Sequence, residues 1–214
     1  IVVPGAMLIL CGLVDLSVGS VAVLSAVAFG QAMASGLGLP AALLIGLAVG
    51  AAWGAFNGYL IAIQGFSPII ITLGGLAGAR GIAEFITQGY TTYGYGREFA
   101  FLGNGKLLGV PVPVILFAIV FLIGLHLWYR APLGRHMIAV GGAKDTAAEI
   151  GIPVKTIPFW LYVASGLAAA LGGLIIASQL DGAAVTIGTG MELEVLTAIL
   201  LGGVSFTGGR GSLF

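Results

Sequence analysis

The chain of 214 residues is 59% hydrophobic and 7% charged, against about 25% charged in an ordinary soluble domain, so it cannot coat a water-facing surface. Eight basic and eight acidic residues cancel, which gives a polyanion such as nucleic acid nothing to hold. Positions 16 to 79 are 64 consecutive residues without Asp, Glu, Lys or Arg, room for about three helical crossings of a ~30 Å apolar layer.

In chain order, an incomplete apolar run at 1–13 precedes five predicted spans at 18–35, 41–63, 68–87, 114–129 and 158–177, and a shorter apolar run follows at 193–206, either a truncated span or a re-entrant segment. The runs do not alternate apolar and polar residues as barrel strands do, so the expected fold is all-α, a polytopic transmembrane helical bundle. The chain opens inside one apolar run and closes without a polar tail, and is expected to be a fragment of a single transmembrane domain over 1–214, lacking helices at both ends. Glycines at Gly46, Gly50 and Gly54, and at Gly74 and Gly78, have the small-xxx-small spacing that brings membrane helices close. Lone Cys11 reads as a small buried apolar residue.

Two segments are polar enough for water, 89–113 and 130–157, and one span separates them, so they lie on opposite sides. The second holds Arg130, Arg135, Lys144 and Lys155 and the first only Arg97 and Lys106, so the positive-inside bias puts 130–157 in the cytoplasm. Parity then puts 37–40 and 179–190 outside. Within 130–157, Thr146 and Glu149 have capping-box spacing, which predicts a short helix from Thr146 to a left-handed stop near Gly151. From the residues alone this is either a solvated turn or a docking element for a cytoplasmic partner.

Polar residues inside the apolar runs form the second group of candidates. Arg80 and Glu84, four apart on one helix, are expected to pair, either as a structural ion pair or beside a water-filled path. Asp15, Ser17 and Gly19 suggest a broken helix in which Asp15 or Ser17 caps a segment starting near Val18, with the break as a candidate pathway wall. His126 and His136 have no ligand-spaced companions and are read as interfacial, so no metal site is expected. Glu192 and Glu194 read as markers of the outer interface. Trp53, Trp128, Tyr129 and Trp160 read as interfacial belts.

Five blocks in order carry a family resemblance. The run 133–152, with Gly134, Arg135, Ala139, Gly141, Gly142, Ala147, Ala148, Gly151 and Ile152, resembles the signature loop of bacterial ribose-type sugar permeases of ATP-binding-cassette importers. Asp15 to Ser20 (DLSVGS), the pair Asn57 and Gly58, the group Pro68, Thr72, Leu73, Gly74, Arg80 and Gly81, and the block 201–211 (LGGVSFTGGRG) resemble further blocks of that family. Ala143 departs from it, standing where an Asn is common.

The resemblance implies a multi-pass permease subunit of the bacterial inner membrane, surrounded by lipid, that moves a pentose, hexose or related sugar by alternating access. It implies that 130–157 is a coupling loop, with Gly134, Arg135, Asp145, Thr146, Ala147, Ala148, Glu149, Gly151 and Ile152 meeting a cytoplasmic ATP-binding subunit. The other implied partners are a second permease copy or paralogue and an extracytoplasmic sugar-binding protein. Asp15, Ser17, Arg80 and Glu84 are the candidate residues of the path. No GxxxxGK[ST] phosphate loop is present, so ATP and Mg are expected on the partner, with no cofactor and no covalent catalysis on this chain. An ion-coupled secondary transporter, which also uses broken helices, is the alternative.

Overall fold

The computed structural model describes residues 1–205, 208, 209 and 211. Among the described residues ten α-helices follow in chain order: α1 Val2–Leu10, α2 Val18–Ala34, α3 Leu39–Gly58, α4 Pro68–Thr87, α5 Arg97–Asn104, α6 Val112–Tyr129, α7 Pro132–Gly142, α8 Lys144–Glu149, α9 Thr156–Leu180 and α10 Met191–Leu201. One π-turn, Tyr59–Ile63, extends α3. Among the described residues four helices are long and apolar enough to span a membrane: α3 with its π-turn, α4, α6 and α9. The fifth predicted span is α2, which at 17 residues is about 25 Å long. The molecule is the helical membrane bundle that the apolar runs predict.

Two-residue strands tie the loops together. β1 Thr92–Tyr93 pairs antiparallel with β4 Gly182–Ala183, and β2 Lys106–Leu107 pairs with β3 Val110–Pro111 in a hairpin. The β1–β4 pair brings 89–113 and 179–190 to the same end of the bundle, as helix parity requires. That end is called outer below, after the positive-inside assignment. Asp181, at φ 47 after the end of α9, accepts the Tyr95 amide on its carboxylate at 3.1 Å, and Tyr95 and Phe99 pack their rings on Phe29 of α2.

The centre is α3 against α9, with α2 across both. α3 buries Ala42, Gly46, Gly50, Gly54 and Gly58, one residue per turn, with Asn57 beside them, and leaves its bulky side chains outside. A Cβ at Gly166 of α9 would collide with the Gly50 carbonyl, and one at Gly54 with the Tyr162 carbonyl. Backbone thus meets backbone, the close approach that stabilises helix pairs where lipid is as apolar as leucine. Gly74 and Gly78 do not follow. Among the described residues a Cβ at Gly74 would meet nothing within 4 Å, and one at Gly78 only the Trp53 ring at 3.7 Å, because α4 packs on α2 through Thr72, Gly75, Ala79, Ala83 and Thr87 on its other side.

The polar segments hold more structure than their composition predicts. The outer one contains α5, and the inner one contains two helices, α7 and α8. α7 has Pro at its start and apolar Leu133, Met137 and Val140 at i, i+4 and i+7, a pattern that was available in the sequence. Trp53 lies in the middle of its span, not in a belt.

Candidate functional site

Three polar features interrupt the apolar bundle. The first is the break between α1 and α2. α1 stops where Gly12, at φ 72, donates to the Ile9 carbonyl and Leu13 donates to that of Leu8, closing the helix end. The chain then crosses to α2 through Asp15, buried among donors. Its Oδ1 accepts from the Ser17 amide at 3.0 Å and the Ser17 hydroxyl at 2.6 Å, and its Oδ2 from the Ser165 hydroxyl of α9 at 2.7 Å. Asn57 of α3 donates to the Ser17 oxygen at 3.0 Å, and the Tyr162 hydroxyl donates to the Val14 carbonyl at 2.9 Å.

The helix break expected at Asp15 and Ser17 is present, but neither side chain caps α2. A carboxylate in an apolar interior needs several donors, and three hydroxyl and amide groups converge on it here. The knot joins the break to α3 and α9.

The second feature is Arg80 on α4. Its Nε donates to the Ser20 hydroxyl at 3.4 Å, and its Nη1 donates to the Val185 carbonyl at 3.1 Å and the Thr189 hydroxyl at 2.9 Å. The expected Arg80–Glu84 ion pair is absent: among the described residues no bond joins the two, because the chain after β4 offers Arg80 better-directed acceptors. Both side chains instead line one cleft of about 450 Å³ with Gln88, Gly89, Val185 and Thr186. The two candidate pairs approach each other at the start of α2, where Ser17 reaches Asp15 and Ser20 reaches Arg80.

The segment 184–190 descends from the outer end into the bundle before α10 begins, with Gly188 packed on Gly19 in the first turn of α2. It therefore carries Glu192 inward. A Cβ at Gly19 would lie 2.6 Å from Glu192 Oε2, so Glu192 sits against the buried start of α2 and does not mark the outer interface. The chain that enters from the outer end reaches the inner one, where Gly209 donates to the Leu10 carbonyl at 2.8 Å beside Gly141 of α7, so of the alternatives for the run 193–206 a re-entrant segment, which would return outward, does not fit. Phe206 lies outside the described residues, as do Thr207 and Arg210 of the LGGVSFTGGRG block. Trp53 Nε1, Asn57 Oδ1 and Glu192 Oε2 are buried without a partner among the described residues.

The third feature is the inner helix pair. α7 is anchored by Gly134, whose missing side chain admits the Trp128 carbonyl, and by Gly141 against the Leu10 carbonyl. α8 begins at Lys144, not Thr146, and has no side-chain cap, so the capping box is not formed: Thr146 is already in the helix and cannot take the non-helical cap conformation. The expected stop is present. Gly151, at φ 85, donates to Ala148 at 3.0 Å, and Ile152 donates to Ala147 at 3.0 Å.

Ala147 is buried and Ile152 packs on the core, whereas Arg135, Asp145, Thr146, Ala148, Glu149 and Gly151 are exposed. Ala139, Gly142, Ala143, Thr146, Ala147 and Ile150 line a groove of about 250 Å³ between the two helices, and Ile150 is 72% exposed beside it. Ile150 was not among the sequence candidates. Neither were Gln88 and Thr186, for which no local signal exists.

A broken helix, a chain segment that descends into the bundle and long apolar helices define a multi-pass helical membrane protein. The chain belongs to the family of branched-chain amino acid transport system permease components, whose profile matches residues 1–214. It is 39% identical over 208 residues to a probable ABC transporter permease protein of Sinorhizobium fredii, covering 96% of this chain and 62% of that protein. It is 38% identical over 202 residues to the D-allose transport system permease protein of Escherichia coli (94% and 62%), and 36% identical over 207 residues to the ribose import permease protein of Bacillus subtilis (96% and 64%). The chain thus spans about three fifths of the length of these relatives. No solved structure matches it.

Proposed function

We propose that this chain is the core of a permease subunit that carries a sugar across the bacterial inner membrane by alternating access, driven by ATP hydrolysis on separate cytoplasmic subunits. The observation that carries the reading is the similarity, over nearly the whole chain, to permeases named for ribose and D-allose import. In this reading α7 and α8 are the coupling element. Gly134, Ala147 and Ile152 anchor it, and Arg135, Asp145, Thr146, Ala148, Glu149 and Gly151 face the ATP-binding subunit. ATP and Mg bind that partner, and this chain does no covalent chemistry.

A second permease copy or paralogue completes the path, and an extracytoplasmic binding protein delivers the sugar. Arg80 and Glu84 border the path. Asp15 and Ser17, tied to Ser165 and Asn57, brace its wall.

Uptake of D-ribose and D-allose by the full-length protein, reconstituted with its ATP-binding and binding-protein partners, tests this directly. Uptake is expected to need ATP and to survive collapse of proton and sodium gradients. Uptake that persists without ATP and stops with the ion gradient would instead identify a secondary transporter. Cysteines at Thr146 and Glu149 are expected to cross-link to the ATP-binding subunit, and their failure to do so under conditions that preserve the complex would remove α8 from the interface.

A further inference from the structure

The cleft beside Arg80 is built from hydrogen-bonding groups that the protein itself does not use. Three bonds to Ser20, Val185 and Thr189 hold the guanidinium through Nε and Nη1. Nη2 has no partner among the described residues, and the same is true of the Glu84 carboxylate, the Gln88 amide and the Thr186 hydroxyl. All four residues line the same cleft. Its volume, about 450 Å³, lies within the ~300–1,000 Å³ of small-molecule sites.

Depth separates this cleft from an ordinary wet surface. Arg80 stands seven positions before Thr87, the last residue of α4, and so lies roughly 10 Å below the outer end of that helix. An arginine and a glutamate on the open face of a membrane helix need water or a polar ligand beside them. Gln88, at φ 51 where α4 ends, and Thr186, on the descending segment, form the rim above.

We propose that this cleft binds a neutral solute with adjacent hydroxyl groups, taken from the outer side, with Arg80 and Glu84 gripping neighbouring hydroxyls and Gln88 and Thr186 holding its rim. The inference rests on the import reading and adds to it a site and its selectivity. A hydroxyl both donates and accepts, so of two vicinal hydroxyls one donates to Glu84 while the other accepts from Arg80 Nη2. The fixed cation and the carboxylate one turn above it sum to zero. An anionic solute meets the carboxylate and a cationic one the guanidinium, whereas a solute of no net charge that both donates and accepts, as a polyol does, satisfies both. Charge-assisted hydrogen bonds of this kind are about twice as strong as neutral ones, which offsets drawing the solute out of water.

The test uses the full-length protein with its ATP-binding partners in vesicles, carrying Gln88→Cys or Thr186→Cys. Cys11 is buried, so labelling by a membrane-impermeant maleimide added outside, taken as the excess over the same protein without the added cysteine, reports on the cleft. D-ribose, D-allose and D-galactose are the neutral probes and D-gluconate is the charged comparator. At least one neutral sugar is expected to slow labelling saturably, with gluconate inert. Adding Glu84→Ala is expected to raise the half-protecting concentration about tenfold, the cost of one charge-assisted hydrogen bond.

Absence of labelling at both cysteines would overturn the site, since the cleft would then be closed to water. Labelling that no sugar slows, while ATP-driven uptake of one of them continues, would overturn the site and leave the import reading standing. Equal protection by gluconate would overturn the selectivity. Protection by a neutral sugar without ATP-driven uptake would keep the site and defeat the import reading.

Discussion

The Asp15 carboxylate accepts the Ser165 hydroxyl at 2.7 Å, although 150 positions separate the two residues and both are buried. This contact, with the Ser17 and Asn57 bonds around it, fixes a non-helical stretch in an interior that offers no water. Removing the acceptor strands three donors at once, whereas removing one donor leaves the carboxylate two others. Asp15→Ala is therefore expected to cost on the order of 3 kcal/mol or more, and Ser165→Ala about 1 kcal/mol. Thermal unfolding of the purified full-length protein checks both values, and the double variant should fall short of their sum because the residues share one network. Equal, small effects would mean that the knot carries no stability.

Leu108 is 98% exposed and sits at φ 53 in the turn joining β2 to β3, followed by Gly109 at φ 83. Two consecutive left-handed residues define a tight hairpin turn that favours Asn-Gly, and leucine is costly in that conformation. Leu108→Asn is expected to stabilise the hairpin by about 0.5–1 kcal/mol, read as slower amide exchange over 105–112. An unchanged or faster exchange would mean that the leucine side chain has a stabilising contact of its own.

Legibility divided along the range of the interactions. The spans were readable because each is set by local composition, and the 68–87 helix begins and ends where Pro68 and the residues before Gly89 put it. The glycine spacing of α3 announced a close helix contact. It could not distinguish Gly50, which meets Gly166, from Gly74, which meets nothing, since that depends on which side of each helix its neighbours occupy. Arg80 and Glu84 have correct pairing geometry on an isolated helix, and the pair is lost to Val185 and Thr189, more than a hundred residues away. Glu192 was misplaced for a related reason: its depth is set by the descent of 184–190, which apolar run lengths do not encode. α7 is legible even inside a polar segment, from Pro132 at its start and the spacing of Leu133, Met137 and Val140.

The Tyr95 hydroxyl, bonded to Thr92 at the outer end, has its pKa raised mainly by burial, with the nearby Asp181 charge adding in the same direction. A raised pKa on an acid means that the folded state keeps its proton where the unfolded state loses it. The contribution to stability is therefore full below the unfolded value near 10 and is lost as pH rises through the folded value. Unfolding temperature is expected to fall above about pH 10 in the parent and less steeply in Tyr95→Phe. Parallel profiles would show that the phenol does not govern the alkaline limb.

Gly166 and Gly81 give the sharpest contrast between two identical substitutions in membrane helices. At Gly166 a methyl group would run into the Gly50 carbonyl, and backbone, unlike a flexible side chain, cannot rotate away. α3 and α9 would have to part, and with them the contacts that hold Asn57 and Ser165 around Asp15. At Gly81 the same methyl would meet nothing within 4 Å among the described residues, and alanine also favours the helix. Gly166→Ala is expected to cost about 1–3 kcal/mol and Gly81→Ala to be neutral or stabilising by up to ~1 kcal/mol. Unfolding midpoints in one detergent decide the matter. A large loss at Gly81 would carry a further meaning, because the described residues supply no atom for that methyl group to strike. It would place further polypeptide on the open face of α4, and repeating the measurement on dissociated subunits would tell another subunit, for which the loss disappears, from the rest of the full-length protein, for which it stays.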